Sequence, residues 1–176
     1  MAEVVELRPP LEEEAVRSLH AGQAVLISGP LLTGRDAAHK RLYNLLQAGK
    51  ELPVDLAGEV IYFVGPTPAR PGKVIGSAGP TTSSRMDAYS PALLAAGLRG
   101  MIGKGYRGPE VRDALVKFGA VHLAAPGGLG ALLGTKITAS EILAYEDLGP
   151  EAIRRLMVKD FPAIVAYDAH AKSIYD

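Results

Sequence analysis

The chain has 176 residues, of which 19 are basic, 19 are acidic and none is cysteine, and 48% of it is hydrophobic. The balanced charge disfavours nucleic-acid binding, which usually shows a basic surplus or stripe. Without cysteine, the chain cannot form a disulfide, a cysteine-ligated zinc site or an iron–sulfur cluster of its own. No apolar run approaches the roughly 18 residues of a membrane span, so we expect no membrane insertion.

Length and composition narrow the class further. A chain of this length predicts one domain over residues 1–176, large enough to bury a core. The N-terminal MAEVVELRPP lacks the apolar region of a secretory signal, and we expect a cytoplasmic protein. The lack of cysteine is compatible with that location. The 20 glycines and 13 prolines stand between periodic segments and predict many short loops, where sites are usually placed.

Hydrophobic periodicity and turn residues predict the elements in chain order. We expect a helix over residues 11–19, a strand over 23–28, a helix over 33–48 and strands over 59–64 and 73–77. A helix over 84–96, a strand over 99–102, a helix over 109–118, a strand over 120–124 and a helix ending near 133 follow. The chain closes with a strand over 142–145, a helix near 150–155 and strands over 163–167 and 173–175. This alternation predicts an α/β layered domain with some parallel pairing, and an apparent hairpin turn at 168–172 makes the sheet mixed.

The first candidate site is the segment GPTTSSRMD, residues 79–87. Four hydroxyl residues precede a predicted helix, and Arg85 stands in its first turn. Free backbone N–H groups at a helix start, hydroxyl donors and a guanidinium together suit a carboxylate or a phosphate. The alternative is a capping box between Ser84 and Asp87, with Arg85 solvated. Capping needs one hydroxyl rather than four, and both interpretations stay open.

The second candidate is the segment TGRDAAHK, residues 33–40. Thr33 and Asp36 fit a capping box, which would explain both residues without any function. Arg35 and His39 are four positions apart and therefore lie on one helix face, beside the apolar stripe, from which they could reach a pocket. A purely structural role for His39 is the alternative.

Two glycine-rich segments follow. GKGYRG, residues 103–108, is a literal G-x-G-x-x-G between a strand and a helix. A dinucleotide fold would place an acidic residue about 20 positions on, where this chain has alanine and proline, so we favour a loop that presents Lys104 to an anion. PGGLGALL, residues 126–133, fits either a nest of backbone amides or close helix–sheet packing. The histidines lack metal-ligand spacing, and we predict no metal site in this chain.

Taken together, the segments resemble a known family. Seven segments resemble, in order and spacing, the C-terminal domain or β subunit of class I fumarases and L-tartrate dehydratases. They are SGPLLTGRDAAHKRL, IYFVGPTP, GPTTSSRMD, GKG, PGGLGALL, YEDLGPEAI and VKDFPAIVAYD. The similarity spans about residues 26–168, and the pair of RDxAH with GPTTSxRMD is its most specific part. This resemblance implies a swivelling β/β/α-type domain with a mixed sheet rather than a Rossmann fold.

The resemblance also implies an activity, the reversible hydration of fumarate to malate by an iron–sulfur hydro-lyase. In this family a 4Fe-4S cluster with one open iron acts as the Lewis acid and belongs to another domain or subunit. The implied partner is therefore a cysteine-containing α subunit, commonly in an α2β2 assembly, and the implied substrate is a small dicarboxylate. Two alternatives stay open: the β subunit of L-tartrate dehydratase, and a stand-alone anion-binding module without catalysis.

Residue by residue, the resemblance carries five functional positions over to this chain. They are two substrate arginines, a threonine pair and a lysine, which fall on Arg35, Arg85, Thr81, Thr82 and Lys104. The resemblance gives Thr81 the role of catalytic base and Thr82 that of a binding residue. These are the same cationic and hydroxyl groups that the two candidate segments and the Lys104 loop contain.

The resemblance does not settle the substrate. Asp87 stands where the tartrate enzymes tend to have glutamate, which favours fumarate. The run Asp168-Ala169-His170, however, is similar to the tartrate enzymes. Ser84 replaces the glycine or alanine that many family members have at the start of the predicted helix.

Overall fold

A seven-stranded mixed sheet organises residues 3–176, the part of the chain that the structure, a computed structural model, describes. The strands are β1 (Val5–Leu7), β2 (Ala24–Thr33), β3 (Val60–Tyr62), β4 (Gly100–Gly103), β5 (Val121–Ala124), β6 (Ile137–Ala144) and β7 (Ile153–Tyr167). The helices are α1 (Glu13–Arg17), α2 (Asp36–Gln47), α3 (Ser90–Ala95), α4 (Pro109–Phe118) and α5 (Gly130–Gly134). Two 3-10 turns cover Ser83–Met86 and Glu146–Glu151.

The sheet closes into a small barrel. Its strand order is β1-β2-β3-β4-β5-β7-β6, and an additional pairing of β2 with β7 joins the two sides. Strands β1 to β5 pair in parallel, whereas β7 runs antiparallel to β2, β5 and β6. Because β2 to β5 run in one direction, the loops that leave them at residues 34, 63, 104 and 125 meet at one end of the barrel. We call this end the carboxyl rim.

Two hydrophobic clusters lie on the two sides of the sheet. The first fills the barrel and includes Tyr62 and Phe161, whose ring centroids are 5.2 Å apart. The second contains side chains of α2, α3 and α4, among them Leu42 and Leu93, together with Ile61. Neighbouring strand residues point to opposite faces, so Tyr62 enters the barrel and Ile61 meets the helices. A strand buried on both faces favours an unbroken apolar run, which is what β3 has, whereas β5 has one buried polar residue, His122.

The predicted mixed α/β sheet is confirmed, and some elements match closely. Helix α4 covers the residues predicted for it, because Pro109 suits a first turn and Gly119 ends the helix with a φ of +64°. The predicted turn at 168–172 is present, with the Asp168 N–H donating to the carbonyl of Lys172 at 3.0 Å. The strand predicted over 173–175 is reduced to one bridge between Ser173 and Tyr167.

Other predicted boundaries are wrong. Strand β2 continues past residue 28, because a bulge after Ile27 and a φ of +130° at Gly29 carry the strand through Gly29–Pro30. No strand forms over 73–77. The helix predicted near 150–155 is instead the second 3-10 turn and the beginning of β7, where pairing with β2 and β6 outweighs local preference.

Two further differences concern short elements. The helix predicted over 84–96 is divided into the first 3-10 turn and α3, which begins anew with Pro91 in its first turn. Strand β1 is only three residues long, too short for a periodicity signal. None of the helices among residues 3–176 is long and apolar enough to cross a membrane.

The buried hydroxyl of Thr33 joins the end of β2 to the start of β7. Its Oγ1 donates to the carbonyl of Ala152 at 3.1 Å and accepts from the N–H of Arg154 at 3.0 Å. We expect Thr33→Val to lower the free energy of unfolding by about 1–3 kcal/mol, because both backbone groups lose their partner. Urea denaturation measures this change. As a control, Thr138→Val removes an exposed strand hydroxyl and should stay within about 0.5 kcal/mol; equal effects would contradict the prediction.

Candidate active site

Residues 81–83 form an extra strand-like segment at the carboxyl rim, between the ends of β3 and β4. The Thr81 N–H donates to the carbonyl of Phe63 at 2.8 Å. On the other side, the Lys104 N–H donates to the Thr81 carbonyl at 3.3 Å, and the Ser83 N–H donates to the Lys104 carbonyl at 2.8 Å. Thr82 and Lys104 form a parallel bridge. Three of the predicted site residues, Thr81, Thr82 and Lys104, are thus neighbours.

Arg35 reaches the same rim from the end of β2. It immediately precedes α2, and its side chain lies against Gly65 in the loop after β3. A Cβ atom at Gly65 would stand 2.6 Å from Arg35 Nη1 and 2.9 Å from its Cδ, so only glycine leaves room for this contact. Gly65 is two residues from Phe63, the residue that holds Thr81. Arg35 therefore lies against the loop that begins with Phe63, the residue whose carbonyl accepts the Thr81 N–H.

Arg85 comes from the first 3-10 turn and forms an ion pair with Asp36, the residue after Arg35. Both side chains of the pair are partly exposed, while the other carboxylate oxygen of Asp36 is buried without a hydrogen-bond partner. The predicted capping box between Thr33 and Asp36 is therefore wrong, since Thr33 belongs to β2 and α2 has no side-chain cap. Asp36 is a member of the site that the sequence did not indicate.

Four of the five predicted side chains have no partner within the described chain. Among residues 3–176, no side-chain hydrogen bond or ion pair uses the hydroxyls of Thr81 and Thr82, the ammonium of Lys104 or the guanidinium of Arg35. The Nε atom of Arg35 is moreover buried. Buried polar groups are normally hydrogen-bonded, so an unpaired cation of this kind is available to a ligand. Three cations and one carboxylate give this cluster a net charge of +2.

A buried arginine fixes the loops that carry these residues. The Arg107 side chain is fully buried, its Nε donates to Asp87 Oδ1 at 2.7 Å, and its Nη2 donates to Ser90 Oγ at 2.5 Å. The other oxygen of Asp87 accepts from the Gly108 N–H at 2.8 Å. Burial lowers the pKa of Arg107, and the Asp87 carboxylate opposes that shift. Because Asp87 follows the turn with Arg85 and Arg107 lies three residues after Lys104, the ion pair locks two site loops together.

The Arg107 network changes the interpretation of two motifs. The predicted Ser84–Asp87 capping box is wrong, because the 3-10 turn has no side-chain cap and Asp87 binds Arg107. Arg107 also donates to His122 Nδ1 at 3.1 Å, and His122 Nε2 lies 3.2 Å from Ser83 Oγ. Burial, with the charge of Arg107, lowers the pKa of His122 well below its usual range, so the neutral ring donates from Nε2 to Ser83. In the G-x-G-x-x-G loop, the side chain of Arg107 is thus buried and bonded to the protein itself.

His39 holds the backbone of Arg35. Its ring is buried, and Nδ1 lies 2.8 Å from the Arg35 carbonyl, which also accepts the His39 backbone N–H at 2.9 Å. Desolvation lowers the pKa of His39 to about 4, although the Arg35 carbonyl opposes the shift. At neutral pH the ring is uncharged and Nδ1–H is the donor. His39 therefore has a structural role, as the alternative interpretation stated. Its ring packs edge-on against Phe63, with ring centroids 5.2 Å apart.

The remaining glycine-rich segment serves packing. A Cβ atom at Gly130 would lie 3.0 Å from the backbone nitrogen of Gly79, and the Gly130 carbonyl accepts the Ala78 N–H at 3.0 Å. A Cβ atom at Gly127 would stand 3.9 Å from Lys104 Cδ. Helix α5 and its leading loop therefore pack closely on the approach to Thr81 and beside the stem of Lys104. The packing alternative is correct, but the contact is with a loop rather than with the sheet.

Comparison with known proteins identifies the family of this chain. The sequence model of the Fumarase C-terminus matches residues 1–176. The chain belongs to this family. The family resemblance inferred from the motifs is thereby confirmed.

Named relatives of the Fumarase C-terminus chain fall into two groups. It is 38% identical over 178 residues to "Putative fumarate hydratase class I" of Geobacillus stearothermophilus, covering 98% of this chain and 34% of that protein. It is 38% identical over 168 residues to "Fumarate hydratase class I, anaerobic" of Escherichia coli (strain K12), covering 93% and 31%. It is 36% identical over 172 residues to "Putative L(+)-tartrate dehydratase subunit beta" of Methanocaldococcus jannaschii, covering 94% and 88%. The chain thus spans about a third of the length of the fumarate hydratases and most of the beta subunit.

The neutral, buried His39 predicts an acid-sensitive fold. Between its usual value of 6.5 and the folded pKa of about 4, the unfolded chain binds more protons than the folded chain. The free energy of unfolding therefore falls as the pH is lowered through this window, by about 3 kcal/mol from this residue. We expect His39→Gln to flatten the loss measured by urea denaturation between pH 7 and pH 4. Leu42→Ala, a buried change in the same helix, should lower stability at every pH and leave the slope unchanged; an unaltered slope in His39→Gln would contradict the prediction.

Proposed function

We propose that this chain is the β subunit of an iron–sulfur hydro-lyase that hydrates fumarate to malate. In this proposal the chain supplies the dicarboxylate-binding residues and the base. The observation that supports it best is the rim cluster itself, in which three cations and one carboxylate give a net charge of +2 and the threonine pair adds two hydroxyls. Fumarate and malate are dianions, so this charge matches the substrate. The names of the class I fumarate hydratase relatives support the same reaction.

Charge and geometry support a dicarboxylate over a single anion. Charge-assisted hydrogen bonds contribute roughly 1.5–3 kcal/mol each, so Arg35, Arg85 and Lys104 can offset the desolvation of two carboxylates. The planar guanidinium of Arg35 binds a carboxylate through two parallel bonds and fixes its plane, which an ammonium cannot do. Arg35 and Lys104 come from the ends of different strands, Arg35 beside the loop after β3 and Lys104 at the end of β4, which supports two separate points of attachment. In the proposal each binds one end of the substrate.

In this proposal the carboxylate of Asp36 takes the position of a substrate carboxylate on Arg85. Its carboxylate forms an ion pair with Arg85. A substrate carboxylate would replace Asp36 as the partner of Arg85, or share the guanidinium with it. In the proposal Asp36 therefore keeps Arg85 oriented and limits the net charge of the cluster.

Thr81 is the proposed base. In the proposal its hydroxyl oxygen, as an alkoxide, accepts the proton from the carbon of malate next to a carboxylate. An alkoxide is hard to form, and the neighbouring Lys104 and Arg35 cations are what would favour it. The two backbone hydrogen bonds of Thr81, to Phe63 and Lys104, hold its position, and Thr82 binds the substrate beside it. Orientation of this kind supplies a large part of the rate in such reactions.

The cofactor and the partner lie outside this chain in the proposal. The sequence has no cysteine, and residues 3–176 contain no group of three or more histidine, cysteine, aspartate or glutamate side chains that could hold a metal. This donor set does not fit a 4Fe-4S cluster. We assign the cluster to a cysteine-containing α subunit in an α2β2 assembly. Two relatives are named subunit beta, and the fumarate hydratases are about three times as long as this chain, which leaves room for such a partner.

The proposal also covers the domain type of this chain and the way it docks on its partner. We propose that residues 1–176 act as a single domain of the swivelling β/β/α type, docked through the carboxyl rim so that the partner completes the site. A cytoplasmic location belongs to the same proposal. Within the described chain, the rim cluster is the feature that such a partner would have to cover.

The β subunit of L-tartrate dehydratase is the second candidate. The observation that favours it is length, because the chain covers 88% and 85% of two relatives named as that subunit. Anaerobic co-expression with the α chain, followed by assays on malate, fumarate and both tartrate enantiomers, decides between the two. Turnover of fumarate and malate alone supports the first candidate, and turnover of a tartrate supports the second. Tight dicarboxylate binding by this chain alone, with no turnover in any assembly, would instead indicate an anion-binding module.

Removing the Thr81 hydroxyl tests the base. We expect Thr81→Val in the assembled enzyme to lower kcat at least about 100-fold, because the proton acceptor is lost while the β-branched shape is kept. Steady-state assays and gel filtration measure turnover and assembly together. Thr81→Ser should keep a substantial part of the activity, and Ser84→Ala, an exposed hydroxyl in the next turn, should keep nearly all of it. Near-normal turnover in Thr81→Val would remove Thr81 from the mechanism.

Removing the Asp36 charge tests the proposed competition for Arg85. We expect Asp36→Asn to lower KM for the dicarboxylate by about three- to tenfold at low salt, because a competing negative charge is removed from the cluster. The value of kcat should change little. Asp147→Asn is the matched control, since Asp147 pairs with Arg41 on the exposed side of α2, and its KM should be that of the wild type. A raised KM in Asp36→Asn would show that Asp36 supports binding directly.

A further inference from the structure

A cavity opens near the carboxyl rim. It has a volume of about 270 Å³ and lies between the loop over residues 66–75 and the Gly149–Pro150 turn that precedes β7. One of its lining residues, Ile75, also packs against the hydrophobic cluster that fills the barrel. Another, Pro66, directly follows the Gly65 on which Arg35 rests. The cavity therefore stands at the mouth of the barrel, next to the rim cluster, and none of the five predicted site residues lines it.

Arg154 is the single charged residue in the lining of this cavity. Its Nε atom is buried and has no hydrogen-bond partner, and no ion pair among residues 3–176 uses its guanidinium. Its backbone is held in place, because the Arg154 N–H donates to Thr33 Oγ1 at 3.0 Å. The next residue, Arg155, differs in this respect, since it pairs with Glu141 on β6 at 3.4 Å. Arg154 is thus a cation in the wall of the cavity, and no acidic side chain of residues 3–176 forms an ion pair with it.

We propose that this cavity binds a small monocarboxylate, with its carboxylate on Arg154 and its short carbon chain on the apolar wall. The wall that faces Arg154 comes from residues such as Pro66, Val74 and Ile75, and Val74 is 47% exposed. Covering such a wall is favourable only for a ligand that has apolar surface of its own. Inorganic phosphate has none, so it would leave the apolar side chains of the lining uncovered.

The charge of the lining selects the class of ligand. One cation neutralises one carboxylate, whereas a second carboxylate in the same cavity would stay unpaired and lose hydration. The rim cluster has the opposite preference, because its net charge is +2. The volume of about 270 Å³ lies just below the roughly 300 Å³ at which cavities begin to take drug-sized ligands, so a chain of a few carbons suits it. The two neighbouring anion sites therefore differ in the charge that they select.

Pentanoate binding to the 176-residue chain tests the proposal. In the ¹⁵N-labelled protein the arginine Nε–H signals are followed during titration with sodium pentanoate at constant ionic strength. The signal that is missing from Arg154→Gln should move in the wild type and saturate. Arg154→Gln should weaken pentanoate binding at least tenfold, because it removes the charge and leaves a neutral polar side chain. Arg155→Gln, the matched control with its partner on β6, should change the affinity less than twofold.

The ligand series separates the two anion sites. Glutarate, with five carbons and two carboxylates, and inorganic phosphate should each bind to the Arg154 cavity at least tenfold more weakly than pentanoate. Equal binding of phosphate, an unchanged affinity in Arg154→Gln, or a pentanoate shift confined to the Arg35 signal would each overturn the proposal. The measurement needs neither a partner subunit nor turnover. It is therefore independent of the proposed hydro-lyase function, and either can fail without the other.

Discussion

The antiparallel pairing of β7 with both β2 and β5 is the constraint on which the site depends. Ile164 of β7 pairs with Ala24 of β2 and with Ala124 of β5, so one strand joins the two sides of the parallel sheet. Without β7 the parallel strands would form an open sheet with an unpaired edge. Closure bends the sheet until the loops after β2, β3, β4 and β5 surround one opening. Closure also brings Arg154 against Thr33, one residue beyond the last paired residue of β2 in its ladder with β7.

At that opening, the buried guanidinium of Arg107 holds neighbouring loops together, as apolar packing does elsewhere in the fold. Arg107 bonds Asp87, Ser90 and His122, and its own N–H bonds the Tyr167 hydroxyl at 2.9 Å. Removing one partner of a buried pair leaves an uncompensated charge, so the network holds as a unit. Because the network spans both loops, the position of Lys104 relative to the threonine pair does not depend on loop flexibility. A binding site gains precision from such support.

The charged side chains without an ionic partner are the groups that indicate anion binding. A folded chain ordinarily satisfies its buried polar groups, and three of the unsatisfied ones among residues 3–176 adjoin the two proposed anion sites. At the carboxyl rim the exceptions are the Nε of Arg35 and one oxygen of Asp36, in a cluster of net charge +2. At the barrel mouth the exception is the Nε of Arg154, a lone cation. The two places therefore suit anions of different charge.

The sequence by itself determined the elements with clear periodicity and end signals, such as α4, and the residue types of the site, since Arg35, Thr81 and Lys104 were found by motif and resemblance. Tertiary structure alone decided which groups meet. Arg85 and Asp36 are 49 positions apart in the chain, and Arg154 and Thr33 are 121 apart. Periodicity and capping rules relate residues only a few positions apart, so they assigned Asp36 to a cap and residues 150–155 to a helix. An ion pair with Arg85 replaced the predicted cap at Asp36, and strand pairing with β2 and β6 replaced the predicted helix at the start of β7.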